Sequence, residues 1–210
     1  MEDIKNLSDY RIHLKDRILE TAMEAFARMG VRAVKMDDIA NQLGISKRTL
    51  YEIYDNKEKL LFEGVKTFKD KKMKEVDKIS SESGNVIEII IKLYRIRMEE
   101  DRQMHPSFFM DLLKYPKIKQ FFEDERKTDR KRFLKFMKRG TDEGYFLSTA
   151  NYDLVCDIHE CLSRSFVSNQ VFSGYTIEQV FRNLLFVALR GFCTQKGVEM
   201  LDSFLDDVHK

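Results

Sequence analysis

The chain reads as all-α: a small N-terminal unit of three helices containing a helix-turn-helix, followed by a larger helical body. Three observations predict this. Apolar residues recur at three- and four-residue spacing along most of the chain. Only two prolines, Pro106 and Pro116, interrupt a composition that favours helix. No alternating strand pattern returns between turn signals. With 210 residues, 43% of them hydrophobic, the chain can bury a substantial core, and two unequal domains fit it best. The expected division is 1–56 for an arm and the helix-turn-helix unit, 57–80 for a connecting helix, and 81–210 for the body.

Residues 1–9 are polar and acidic and read as a loose arm. Leu14, Ile18, Ala22, Ala25 and Met29 then mark one helical face, widened by Leu19, Met23 and Phe26, and Gly30 stops the helix. In the run Asp37 to Leu43, Ile39, Ala40 and Leu43 stand at helical spacing; Gly44-Ile45 interrupts, and Ser46 can cap a second short helix from Lys47. Two helices crossing this closely need a small residue at the crossing, a turn residue that tolerates positive φ, and an apolar plug. Ala40, Gly44 and Leu50 supply them, and Ile45 and Ile53 complete the small core.

Asn56 can cap a fourth helix to about Ile79, with Leu60, Leu61, Gly64, Val65 and Phe68 inward and a charged second half. Ser80 to Gly84 is a break, after which Asn85 and Glu88 resemble a capping box for a helix to about Arg102. His105-Pro106-Ser107 and Tyr115-Pro116 bracket a short apolar helix, and a long helix runs from Lys117 to about Glu143. Its basic residues are what the outer face of such a helix carries. Asn151 to Phe172 and Thr176 to Lys196 read as two long helices divided by Ser173-Gly174, and Val198 to Val208 as a terminal one.

The helix from Lys47 carries the functional signal. With Leu50 inward, Lys47, Arg48, Thr49 and Glu52 face out, and the cations sit at the end that would enter a major groove. Arg48 could bind a guanine O6/N7 edge bidentately, Lys47 a guanine or a phosphate, and Thr49 a thymine methyl. Alone, these residues are an ordinary polar face; their place behind Ala40-Gly44-Ile45 favours DNA contact. Tyr51 can present its hydroxyl to a phosphate, whereas Tyr54 packs between helices. Lys57 is a cation in the first turn of a helix, where the dipole opposes it, and a phosphate bound there would remove the conflict. For Arg11 and Lys15, phosphate contact and a solvated face both stand.

At these residues the chain acquires a family likeness. The stretch IANQLGISKRTLYEIYDNKEKLL, preceded by ARMG and V-R-A-V-K-M-D-D, resembles the DNA-binding signature of the TetR family of transcriptional regulators, over roughly Arg11 to Phe68. The resemblance implies phosphate contacts at Tyr51 and Lys57 and backbone contacts near Val34 and Lys35. It also implies a body that encloses a small-molecule effector whose binding lowers affinity for a DNA operator, with repression as the default. Met98, Met104, Phe108, Phe109, Phe121 and Phe122 offer an apolar, adaptable lining, though any one of them also suits a core, and His159 and Arg164 are the polar candidates.

One head reads few base pairs, so two are expected. Leu154, Ile158, Leu162, Val180, Leu184 and Val187 give the last long helices more apolar surface than one small body needs, which predicts a homodimer through them; a monomer with a large core is the alternative.

Other classes fit less well. Cys156 and His159 stand one turn apart without a third ligand or an orienting carboxylate, and no Gly-rich phosphate loop, HExxH or GxSxG occurs, so no catalytic residue, metal or cofactor is expected. A net charge of +2, with 37 basic residues against 35 acidic, does not by itself imply nucleic acid. Three cysteines without a CxxC pair, no secretory signal and no apolar run of membrane-spanning length predict a soluble cytoplasmic protein with reduced thiols. The competing class is a helical small-molecule-binding or protein-interaction module without sequence-specific DNA binding, which would have no use for Lys47, Arg48 and Lys57 where they stand.

Overall fold

A computed structural model describes residues 2–101, 104, 105, 107–168, 179 and 186–208, with the backbone alone at 2–9, 101, 162–168 and 205–208. The helices are α1 (Glu2–Met29), α2 (Met36–Leu43), α3 (Lys47–Ile53), α4 (Lys57–Glu82), α5 (Val86–Asp101), α6 (Phe108–Leu112), α7 (Pro116–Asp142), α8 (Tyr152–Ser168), α9 (Phe186–Phe192) and α10 (Gln195–Val208). Among the described residues the only β pairing is an isolated antiparallel bridge between Phe146 and Cys193. No helix there is long and apolar enough to cross a membrane.

The chain divides into two compact units, residues 1–73 with 103–122, and residues 74–102 with 123–210. In the first, α1 buries Leu14, Ile18, Ala22, Ala25 and Phe26 against Ile39 and Ala40 of α2, Leu50 of α3, and Leu60, Leu61 and Val65 of α4. Phe108 and Leu112 of α6 and Ile118 of α7 belong to the same cluster. Burying each large aliphatic or aromatic side chain contributes about 1.5–3 kcal/mol, which is what holds helices as short as α2 and α3 in shape. Where α1 meets α4, the Met23 thioether fills the space that a Cβ at position 64 would take. Asp111, buried beside this cluster, is solvated from within. Burial alone would raise its carboxyl, but the hydrogen bond and charge of Lys114, the Ser107 hydroxyl and the Arg32 charge bring it below the ordinary value.

In the second unit, Val86 and Ile87 of α5, Tyr94, Met137 of α7, Phe146, Phe186, Leu189, Leu201 and Phe204 form the core. Arg139 fixes one end of it: its guanidinium donates to the Ser80 and Ser83 carbonyls at 2.8 and 3.1 Å and to Glu143 at 2.6 Å, while Glu143 accepts the Val86 amide at 2.8 Å. The loose ends left between α4, α5 and α7 are thereby satisfied.

Three expectations about elements are corrected. Residues 2–9 are not a loose arm but the first turns of α1, whose polar sequence contains no glycine or proline to stop it. The long helix expected to run to Lys196 ends at Phe192, where the Leu147 amide donates to the Phe192 carbonyl and the Thr194 amide to that of Tyr145, both at 2.9 Å. The terminal helix accordingly starts at Gln195 rather than Val198, with the Thr194 hydroxyl accepting the Gly197 amide at 3.3 Å. The Ser173-Gly174 division lies outside the described residues.

Candidate nucleic-acid interface

The turn between α2 and α3 is built as its residues demand. Gly44 takes φ 65°, and the Ile45 amide returns to the Ala40 carbonyl at 3.1 Å. Ser46 caps α3, its hydroxyl accepting the Thr49 amide at 3.0 Å. Leu50 and Tyr54 are buried beneath, so the opposite face is fixed outward: Lys47, Arg48 and Tyr51 are exposed, and Thr49 is half-buried with its hydroxyl 2.8 Å from that of Ser46. Lys35, at the N-terminal end of α2, is also exposed, and its amide is held by the Asp38 carboxylate at 2.8 Å.

The reading cations are already engaged. Lys47 donates to Asp37 at 2.6 Å, which holds its ammonium above the ordinary lysine value, and Arg48 donates to Glu52 at 2.9 Å. The Arg48 side chain is 89% exposed even so, and such surface pairs are weak enough for a base edge or phosphate to displace. Asp37 escaped the sequence reading as a partner, because only the crossing of α2 over α3 brings it to Lys47, whereas Glu52 stands one turn from Arg48 on the same helix.

Lys57, expected as a phosphate anchor, makes hydrogen bonds within the unit. Its ammonium donates to the carbonyls of Val31 and Val34 and lies 5.5 Å from the centre of the Phe26 ring. Partial burial pushes it below the ordinary lysine value, against the charges of Asp111 and Asp38. Two backbone oxygens thus offset the conflict with the helix dipole. Lys57 here ties down the turn that leads to Lys35.

Comparison with known proteins places this geometry. The family profile for bacterial regulatory proteins of the tetR family matches residues 18–63, from the second half of α1 into α4. The HTH-type transcriptional repressor KstR2 of Mycobacterium tuberculosis is 29% identical over 147 residues, covering 67% of this chain and 73% of that protein. The profile match assigns residues 18–63 to the DNA-binding domain of the TetR type. Solved structures share the fold: ketosteroid transcriptional regulator KstR2 of M. tuberculosis, with TM-score 0.53, 24% identity and coverage of 86% of this chain and 95% of that one, and fatty acid degradation regulator FadR from Bacillus halodurans, with TM-score 0.60, 21% identity and coverage of 84% and 95%. The helix-turn-helix formed by α2 and α3 lies wholly inside that profile match, so the chain carries the DNA-binding domain of such regulators.

The ligand candidates divide between the units. Met104 and Phe108 line a cavity of about 460 Å³ in the first unit, where α1 supplies Leu19, Met23 and Ala27 and α4 supplies Gly64 and Phe68. Phe109, Phe121 and Phe122 pack partly buried against the cluster of that unit. Met98 packs in the core of the second unit, where the exposed His159 ring stacks on Phe133 with centres 6.1 Å apart. The Arg164 side chain lies outside the described residues. Sequence reasoning gave Leu19 and Met23 only a core role; the doubled apolar face of α1 was the available signal.

Of the expected pairing residues, Leu154, Ile158 and Val187 are exposed at 55%, 51% and 67%. Val180 and Leu184, and the Leu162 side chain, lie outside the described residues.

Proposed function

We propose that this regulator is a repressor that occupies a palindromic operator as a homodimer in the cytoplasm and is released by a small, largely apolar molecule. The observation that carries the reading is the outward face of α3, where Lys47, Arg48 and Thr49 stand over a buried Leu50 that fixes their direction. In this reading Arg48 and Thr49 touch base edges, Lys47 reads a base or holds a phosphate, and Lys35 and Tyr51 fix the register on the backbone. Pairing through α8 and α9 is supported by Leu154, Ile158 and Val187, three large apolar side chains that a monomer would leave in water. Release by an apolar molecule is supported by two relatives: KstR2 is named a ketosteroid regulator and FadR a fatty acid degradation regulator. Release requires that the effector bind the operator-competent and released states unequally. Selection of bound duplexes from a random pool tests the proposal. A palindromic consensus with half-sites about one helical turn apart is the expected result, and recovery of unrelated sequences would sink it.

A further inference from the structure

We propose that the cavity between α1 and α4 is a binding site for an organic cation with an apolar body, such as a quaternary or protonated alkylamine. Its floor is apolar, formed by Leu19, Met23 and Ala27 on one stripe of α1, Phe68 of α4, and Phe108. At about 460 Å³ it has the size of a small-molecule pocket. The neighbouring stripe of α1 supplies Asp16, Glu20 and Glu24, against one lining cation, Lys71, which sits 3.0 Å from Glu20. Lys72 lies 5.8 Å from the centre of the Phe68 ring. The charge of the lining therefore asks for a positive guest.

The spacing excludes a bare metal ion as that guest. Carboxylates at positions 16, 20 and 24 of one helix are spread along about 12 Å of its axis and do not converge. Among the described residues no cluster is arranged to hold a metal. A molecule that lays its chain along Leu19, Met23 and Ala27 while its charged end meets Glu20 or Glu24 satisfies both stripes at once. Met23 is the movable wall, because its flexible thioether occupies the space beside Gly64. A guest that displaces it moves α1, the helix whose buried face carries α2 and α3. Only this last effect, on operator affinity, rests on the repressor reading; binding itself does not.

Calorimetry on the full chain without DNA tests the site, with octyltrimethylammonium, octanol and octyl sulfate as probes. The cation is expected to bind saturably, one per chain, about fivefold more tightly than octanol, with octyl sulfate weakest. The double substitution Glu20→Gln, Glu24→Gln should remove that preference while leaving octanol binding in place. Ala27→Phe should fill the cavity and abolish binding of both, with circular dichroism checking that the variant is folded. No saturable binding of octyltrimethylammonium, equal binding of octyl sulfate, or full affinity in the glutamine variant would overturn the proposal.

Discussion

Arg48 and Lys57 are both cations in the first turn of a helix, α3 and α4 respectively, yet their surroundings differ. Arg48 projects from α3 with only Glu52 beside it, and replacing it with alanine should cost roughly 1–3 kcal/mol of discrimination at one base pair of each half-site. Competition between the selected operator and singly altered duplexes measures this; an unchanged preference would remove Arg48 from base contact. Lys57, by contrast, donates to two carbonyls, and its loss leaves both without a partner. Lys57→Ala is expected to destabilise the first unit by about 1–3 kcal/mol in urea unfolding while the salt dependence of DNA binding stays that of the parent. The reverse pattern, full stability with a flatter salt dependence, would return Lys57 to a phosphate. The sequence could not separate the two cases. A four-carbon stem reaches carbonyls 23 and 26 residues away, and nothing near position 57 announces them.

At the scale of elements, what was legible was local. Ser46, Asn56 and Asn85 each accept the amide three residues on, which is a property of a hexapeptide and needs no tertiary partner. The end of α9 was not legible, because the strand-like bridge that stops it comes from residues 145–147, almost fifty positions earlier. Gly197 belongs to the same non-local arrangement: a Cβ there would lie 2.5 Å from the Tyr145 carbonyl oxygen. Gly197→Ala should therefore cost about 1–3 kcal/mol despite the better helix propensity of alanine, read as a lower urea midpoint. A stabilised variant would show that α10 and the 145–147 segment are not held this closely.

For the whole molecule, the apolar spacing that marked Leu154 and Ile158 was readable, and both side chains are exposed on successive turns of α8. The grouping of residues 103–122 with the head was not readable, because it depends on Phe108, Leu112 and Ile118 finding partners some eighty residues upstream. The same non-locality scattered the expected ligand lining over two units. The variant Leu154→Glu, Ile158→Glu should sediment as a monomer and lose the palindromic operator while still binding a half-site weakly. A dimeric variant in the ultracentrifuge would place the pairing surface elsewhere.

The carboxylates beside the reading cations have a practical consequence. Asp37 and Glu52 mean that a polyanion with no particular shape must outcompete a resident partner before it can hold Lys47 or Arg48. Amides at both positions, Asp37→Asn with Glu52→Gln, would lift that requirement, and the resulting protein should elute from a heparin column at higher salt than its parent. A repressor that clings less to bulk chromosome searches it faster, and these two acids would then serve the search as much as the grip.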